Sequence, residues 1–340
     1  MEILPETVVL LPLVSLDMAR AFLPSVEILP STVSMFSVKV SSPYVCLIPV
    51  EPLPVVLIVP VLVIVPVSFE FFPARSADGQ SNLLAAQKLL KKLNPEFYSV
   101  TFGAGGGTRD LTLQTVLDTA KNTGVMSVPH ISCSALSSQE IQDTLEQYKK
   151  SDVSQLVVLR GDTPSGGQCF SELRHASELV ELVRERHGEH FYINVAAYPE
   201  VHPQAKSSTI DLKNFKMKVE AGADCAITQY FYNADAYFRF VDRCLASGID
   251  IPIVPGIMPI TNYANLDRFS TMCGAEIPRW LRMRLQEFQD GSADLESYGV
   301  DVVSDICERL IDGGAPKLHF YTMNRGGPSV RICENLGIKI

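Results

Sequence analysis

From Val61 onward the chain alternates, eight times over, between an apolar run of strand character and a stretch of helical patterning. The runs are VLVIVPVSFEFF (61–72), FYSVTFG (97–103), MSVPHIS (126–132), SQLVVLRG (154–161), FYINVAAY (191–198), CAITQYF (225–231), IPIVPGI (251–257) and KLHFYT (317–322). Most are near-continuously apolar, as a strand covered on both faces must be. Between them lie amphipathic segments at 82–93, 138–150, 173–187, 209–222, 234–248 and 300–314, several of which end at glycine, the usual helix stop. This alternation predicts a (β/α)8 TIM barrel over residues 61–340. A doubly wound open sheet is the alternative, but it requires no particular count of eight. No second domain and no repeat of residue identity is visible.

The first 60 residues are chemically different. Ten of the 22 prolines fall before Val67, and no glycine precedes Gly79. From Pro52 to Phe69 there is no charge, yet Pro54, Pro60 and Pro66 interrupt the run, and each interior Pro costs a helix about 3 kcal/mol. No Lys/Arg cluster flanks it, which argues against a membrane span, and the start MEILPE lacks the basic region of a secretory signal. The expectation is an irregular Pro-rich extension over 1–60, or a stretch that is not authentic protein sequence. With 29 basic and 38 acidic residues the net charge is −9, which argues against nucleic acid or an anionic membrane as partner. The eight cysteines form no CxxC pair and no residues show metal-ligand spacing. No metal is expected, and unpaired cysteines suit a reducing, cytoplasmic setting.

In a barrel, chemistry belongs at the carboxyl ends of the strands. The polar groups there are Glu70, Thr101, His130, the Arg160-Gly161-Asp162 triplet, Tyr198, Gln229 and Arg325. Glu70 stands between Phe69, Phe71 and Phe72; burial against aromatics would raise its pKa toward that of a general acid. An ion-paired Glu at a strand end is the plainer reading. The loop TFGAGGGTRD (101–110) could bring backbone N–H groups to a phosphate or a ring, but Thr108 breaks the GxGxxG pattern. A lone His such as His130 is most often structural, and Arg160 with Asp162 could be a local salt bridge. After strand five, Tyr198, His202, Lys206, Asp211, Asn214 and Lys218 cluster; they could stack on a flat ring and meet a phosphate, or form a solvated face. Gln229 offers an amide that could read a heteroaromatic ring, and Arg325 a guanidinium for a carboxylate.

Taken together, SFEFFP, SVTFGAGG-TRD, PHISC, LRGD, AAYPEVHP, ITQYFY, PGIMP and HFYTMNR resemble the methylenetetrahydrofolate reductase family, in order, from about residue 65 to the end. The joint pattern is specific although no single motif is, and the first 60 residues match nothing in the family. The length resembles the short bacterial-type enzyme, without a counterpart of the regulatory domain of eukaryotic members. The resemblance implies a barrel that binds FAD non-covalently and reduces 5,10-methylenetetrahydrofolate to 5-methyltetrahydrofolate with NADH or NADPH. The scheme is ping-pong, with hydride passing through flavin N-5, and the product supplies methionine synthesis; a homo-oligomer is implied.

By motif position Glu70 would be the general acid that helps open the folate ring, and Asp162 would sit beside flavin and folate, opposing the iminium cation. FAD contacts would include Phe102, Ala104, His130, Arg160, Gly161, Asp162, Ala176, Tyr198, His202, Ala205, Asp211, Asn214 and Lys218. Thr101 would lie near the nicotinamide, with Gln229, Asn265, Phe269 and Arg325 on the substrate. Met217 stands where relatives carry a basic residue, and Asn265 where some carry Gln, a shorter reach to folate. The competing readings are a flavin-free pterin-binding methyltransferase barrel and an inactive, membrane-tethered interaction protein.

Overall fold

The computed structural model describes residues 10–12, 28–30, 36–38, 44–50, 55–61, 65–102, 109–134, 136–161 and 172–338. The chain divides into two compact units, 1–64 and 65–340.

The described residues of the first unit form five strands: β1 (Leu10–Pro12), β2 (Ile28–Pro30), β3 (Phe36–Val38), β4 (Tyr44–Val50) and β5 (Val55–Val61). They pair antiparallel in the order β1-β5-β4-β3-β2. Where the sequence reads as irregular, these segments are therefore extended and paired. The Val/Ile content that disfavours helix is the same property that favours a pleated strand.

The second unit is the barrel. Its strands are β6 (Val67–Phe71), β7 (Phe97–Val100), β8 (Met126–Ser132), β9 (Gln155–Leu159), β10 (Tyr192–Ala197), β11 (Cys225–Thr228), β12 (Ile253–Val254), β13 (Gly256–Ile257) and β14 (Leu318–Tyr321). All pair parallel, in the order β12-β11-β10-β9-β8-β7-β6-β14-β13. The two ends of that order, β12 and β13, are separated in sequence only by Pro255, so the sheet returns on itself. The seventh expected strand is thus one stretch cut in two. Pro255 lacks the N–H that would continue the ladder; its carbonyl accepts from His319 N at 3.1 Å. The first half pairs with β11 and the second with β14.

Around the strands lie α1 (Ala77–Leu90), α2 (Arg109–Thr123), α3 (Ser138–Lys150), α4 (Ala176–His187), α5 (Ser208–Glu220), α6 (Ala234–Ala246), α7 (Tyr263–Cys273), α8 (Arg279–Leu285), α9 (Ala293–Asp312) and α10 (Gly327–Asn335). Caps set the starts. Ser76 Oγ accepts from Gly79 N, which begins α1 five residues before its apolar periodicity does. Ser137 and Glu140 form a capping box on α3.

Two-residue alternation splits the core into two shells. Leu156 and Val158 face the helices, with Phe69, Phe71, Tyr98, Ile193 and Phe320, all essentially buried. Val157 faces the lumen, with Phe97, Val128, Cys225, Ile227 and Val254. Full burial of each such side chain stabilises the fold by roughly 1.5–3 kcal/mol. These apolar lumen residues share their layers with buried polar ones, Ser68, Ser99, Asn194 and His319, and nearer the carboxyl ends Glu70, His130 and Gln229 follow the same inward alternation.

On the opposite side Arg184 joins three elements. Its guanidinium donates to the carbonyls of Gly188, Phe191 and Gly222, and to Asp224 Oδ2 at 2.6 Å. Asp224 also accepts from Ile193 N. Removing the guanidinium leaves three backbone carbonyls and the half-buried Asp224 without their shared partner, so Arg184→Ala should lower unfolding free energy by about 2 kcal/mol, below the figure for a fully buried pair. Chemical denaturation of the two proteins measures this. No helix among the described residues is long and apolar enough to cross a membrane.

Candidate active site

Glu70 points into the barrel mouth from β6, between two imidazoles. Its Oε2 lies 3.3 Å from His130 Nε2 and 3.9 Å from His319 Nε2. Parallel register sets this up: Glu70 stands beside Ser99 of β7 on one side and Tyr321 of β14 on the other. His319 is fully buried, and its Nδ1 is 2.7 Å from Ser68 Oγ. Ser99 Oγ lies 3.5 Å from its Nε2, and the rings of Phe97 and Tyr321 pack against it.

The electrostatics differ from the sequence expectation. Burial pushes the Glu70 carboxyl up, but His130 and His319 outweigh it and hold the pKa down at about 2. The aromatic neighbours do not set its environment. Phe69 and Phe71 sit on the opposite face of the strand, in the shell toward the helices. The expected elevated pKa is corrected on this ground: the carboxyl is flanked by two imidazoles, not by the aromatic rings next to it in sequence. His319 is itself pushed below the usual imidazole range by burial, against the pull of Glu70.

The neighbouring strand ends carry a second group. Tyr198, beyond β10, packs edge-on against His202 with centroids 4.5 Å apart. Asp211, in the first turn of α5, accepts from His202 N at 2.9 Å, and Ala205 N closes a turn onto His202 O. Lys218 on the same helix donates to Ala196 O, and burial draws its amine down to about 8 against the opposing pull of Asp211. Arg160, beyond β9, donates to Gln204 at 2.6 Å. Gly161 has φ +81°, and a Cβ there would lie 2.5 Å from Ser134 Oγ, so only glycine lets β9 pass the end of β8 this closely.

Thr101 and Phe102 are half-buried after β7, where Thr101 N donates to Phe71 O. Gln229 follows β11; its N–H donates to Ala197 O and its Oε1 accepts from Tyr230 N. A small cleft joins Gln229 with Tyr198, Tyr230 and Cys273. Asn265 is exposed in the first turn of α7, and Phe269 one turn later lies under the Arg268 guanidinium. Arg325 is exposed and lines a groove of about 460 Å³ with Gly79, Asn82, Leu89 and Met323. Ala176 opens α4 half-buried, and Asn214 is exposed. Ala104 and Asp162 lie outside the described residues.

Glu70 and His130 are thus brought together, as are Tyr198, His202, Asp211, Lys218 and Arg160 by way of one loop and helix. His319 was missed from sequence. A lone histidine in an otherwise apolar strand, two residues before a tyrosine on the same face, was the available signal. As for FAD, the donor set fits: His130 Nε2 is buried and not aligned for a hydrogen bond, and Arg160, Lys218 and the Tyr198–His202 pair lie along adjacent strand ends. Such a row can take a planar ring at one end and phosphates further out.

A parallel barrel with this polar layer at its carboxyl-end mouth has the layout of a barrel enzyme acting on a small molecule. Comparison narrows the class. The family described as methylenetetrahydrofolate reductase matches residues 64–337. A 5,10-methylenetetrahydrofolate reductase of Pectobacterium carotovorum subsp. carotovorum is 40% identical over 273 residues, covering 80% of this chain and 90% of the relative. That of Escherichia coli (strain K12) is 39% identical over 273 residues, covering 80% and 91%. Methylenetetrahydrofolate reductase (NADH) 1 of Arabidopsis thaliana is 36% identical, with 80% of this chain aligned to 48% of that longer protein. Among solved structures, a Clostridium thermocellum protein described as binding two copies of 5-methyl-5,6,7,8-tetrahydrofolic acid shares the fold. The TM-score is 0.56 at 14% identity, covering 80% of this chain and 94% of that one. The chain belongs to the methylenetetrahydrofolate reductase family, and is an oxidoreductase of one-carbon metabolism.

Proposed function

We propose that this chain reduces 5,10-methylenetetrahydrofolate to 5-methyltetrahydrofolate, with FAD bound non-covalently and NADH or NADPH as donor. The observation that carries the reading is the Glu70–His130–His319 cluster in the mouth of a barrel of this family. FAD, when bound, supplies the hydride relay between nicotinamide and folate. His130, Arg160, Gly161, Tyr198, His202, Asp211 and Lys218 hold it, with Thr101 and Phe102 along one edge and Ala205 in the His202 turn. Gln229, Phe269, Asn265 and Arg325 orient the folate.

Glu70 moves the proton that opening of the folate ring requires at N-10. With both imidazoles beside it Glu70 is an anion, so it needs to lose one of them as a partner before it can hold that proton. Turning His130 away from Glu70 would do this: burial, the largest upward pull on Glu70, would then meet less opposition. A folate ring over the mouth excludes water and adds to the same pull.

Purified protein should be yellow, bleach under anaerobic NADH or NADPH, and regain its colour with 5,10-methylenetetrahydrofolate. A colourless protein that transfers methyl groups would favour the methyltransferase barrel instead. Asp162→Asn should leave the nicotinamide half-reaction intact or faster, because a negative neighbour is removed. The folate half should slow, since the cation loses its counter-charge. Stopped-flow measurement of each half checks this, and equal slowing of both would indicate a misplaced cofactor. The activity resides in 61–340, and a chain begun near Leu62 should still bind FAD and turn over, as flavin content and assay of that protein would report.

A further inference from the structure

Just past β14 the backbone takes two consecutive left-handed residues, Met323 at φ 51° and Asn324 at φ 57°. Asn adopts this region readily; Met does so at a cost in strain, so the turn needs something to hold it. What holds it is the other end of the barrel seam. The Asn324 carboxamide brackets Phe72, accepting from Phe72 N at 2.8 Å and donating to Phe72 O at 2.9 Å. Thr322 makes a second grip: its Oγ1 donates to Glu70 O at 2.6 Å and accepts from Asn324 N at 3.1 Å. Arg325 N closes the turn onto Thr322 O. Glu70 is still paired with Tyr321 in the ladder, but the ladder ends at Phe71, so beyond it the Asn324 bonds tie Phe72 to the turn after β14, with Thr322 reinforcing the last rung at Glu70 O.

We infer that Asn324, with Thr322, is a positioning residue for the proton-transfer step: a hook that holds the backbone just beyond the Glu70 carboxyl, where the β6–β14 ladder ends, and so steadies the carboxyl between its imidazoles. The inference rests on Glu70 being the proton source of the proposed reaction. A carboxyl that must reach one nitrogen of a bound ring tolerates little displacement, since misplacement by about 1 Å can cost a factor of about 100. The turn also carries Arg325, so the hook fixes the polar groups at both its ends. The grouping of Tyr198, His202 and Lys218 lies after β10 and on α5 and does not depend on it.

The test uses the full-length flavoprotein and reads the two half-reactions separately. Asn324→Gly accepts the left-handed backbone without strain and lacks the carboxamide, so its melting temperature should stay near wild type. Reoxidation of the reduced variant by 5,10-methylenetetrahydrofolate should slow by about tenfold or more, while reduction by NADH stays within about twofold. The pH profile of reoxidation should shift, because the Glu70 carboxyl is held less firmly between its imidazoles. Thr322→Val should give the same split. Asn94→Gly, which frees another left-handed residue remote from the mouth, should leave both halves at wild-type rates.

Wild-type rates and pH profile in both halves of Asn324→Gly would overturn the inference. So would parallel loss of both halves together with flavin, and so would failure of both Asn324→Gly and Thr322→Val to fold, which would make the turn a stability device. Failure of the underlying reading looks different: the wild-type protein itself would lack flavin or would not be reoxidised by the folate.

Discussion

Glu70→Gln is expected to abolish the folate half of the reaction and to leave the nicotinamide half close to wild type. The substitution keeps size and one hydrogen-bond acceptor but removes the transferable proton. General acid catalysis is worth about 10²–10⁴ in rate, and the loss should fall in or above that range. Anaerobic bleaching by NADH involves no such proton and should proceed. The decisive measurement is reoxidation of the reduced variant by 5,10-methylenetetrahydrofolate. A wild-type rate there would show that the proton comes from elsewhere.

His319→Gln should produce the next largest effect, without any contact between residue 319 and a substrate. The imidazole is clamped between Ser68 and Glu70 and packed by Phe97 and Tyr321, so its replacement loosens the carboxyl above it. The folate half should slow by about tenfold to a hundredfold. The acid dependence of stability should move as well. Glu70 titrates at about 2 in the folded chain against an ordinary 4.5, so its ionisation adds stability that is complete above about 4.5 and is lost as the pH falls toward 2. Without His319 the folded pKa rises, and the acid-side window in which Glu70 stabilises the fold narrows. Acid titration of stability for the two proteins reads the difference, and unchanged curves would remove His319 from the account.

Much of the barrel was legible because parallel strands buried on both faces are written as apolar runs. MSVPHIS is β8 residue for residue, and SQEIQDTLEQYKK contains all of α3. Boundaries slipped where a side chain, not periodicity, sets the end. Ser76 starts α1 at Ala77, upstream of the apolar pattern, and Ser292 starts α9 at Ala293, seven residues before Val300. The candidate site was legible as a set of strand ends, but not as an environment. Reading Glu70 through Phe69 and Phe71 treats sequence neighbours as spatial neighbours, whereas a strand sends them to opposite faces. Its true partners, His130 and His319, come from 60 and 249 residues away in sequence. Only the closed register of the sheet brings them together. Pro255 gave no sequence sign that it divides a strand, because IPIVPGI reads as one run.

That division has a dynamic consequence. A ring of strands resists opening only as well as its weakest ladder, and here one stave is two short pieces, Ile253–Val254 and Gly256–Ile257, each held by a different neighbour. Local openings of least cost begin where the fewest bonds must break together. The amides of Ala226 and His319, which bond to the carbonyls of Pro252 just before the divided strand and of Pro255 at the break, should therefore exchange with solvent deuterium sooner than those of Ile193 or Val158. The Glu70 side of the mouth adjoins that fault line through β14, so the barrel can breathe beside the Glu70 carboxyl while the strands that lead to Arg160 and Tyr198 stay shut.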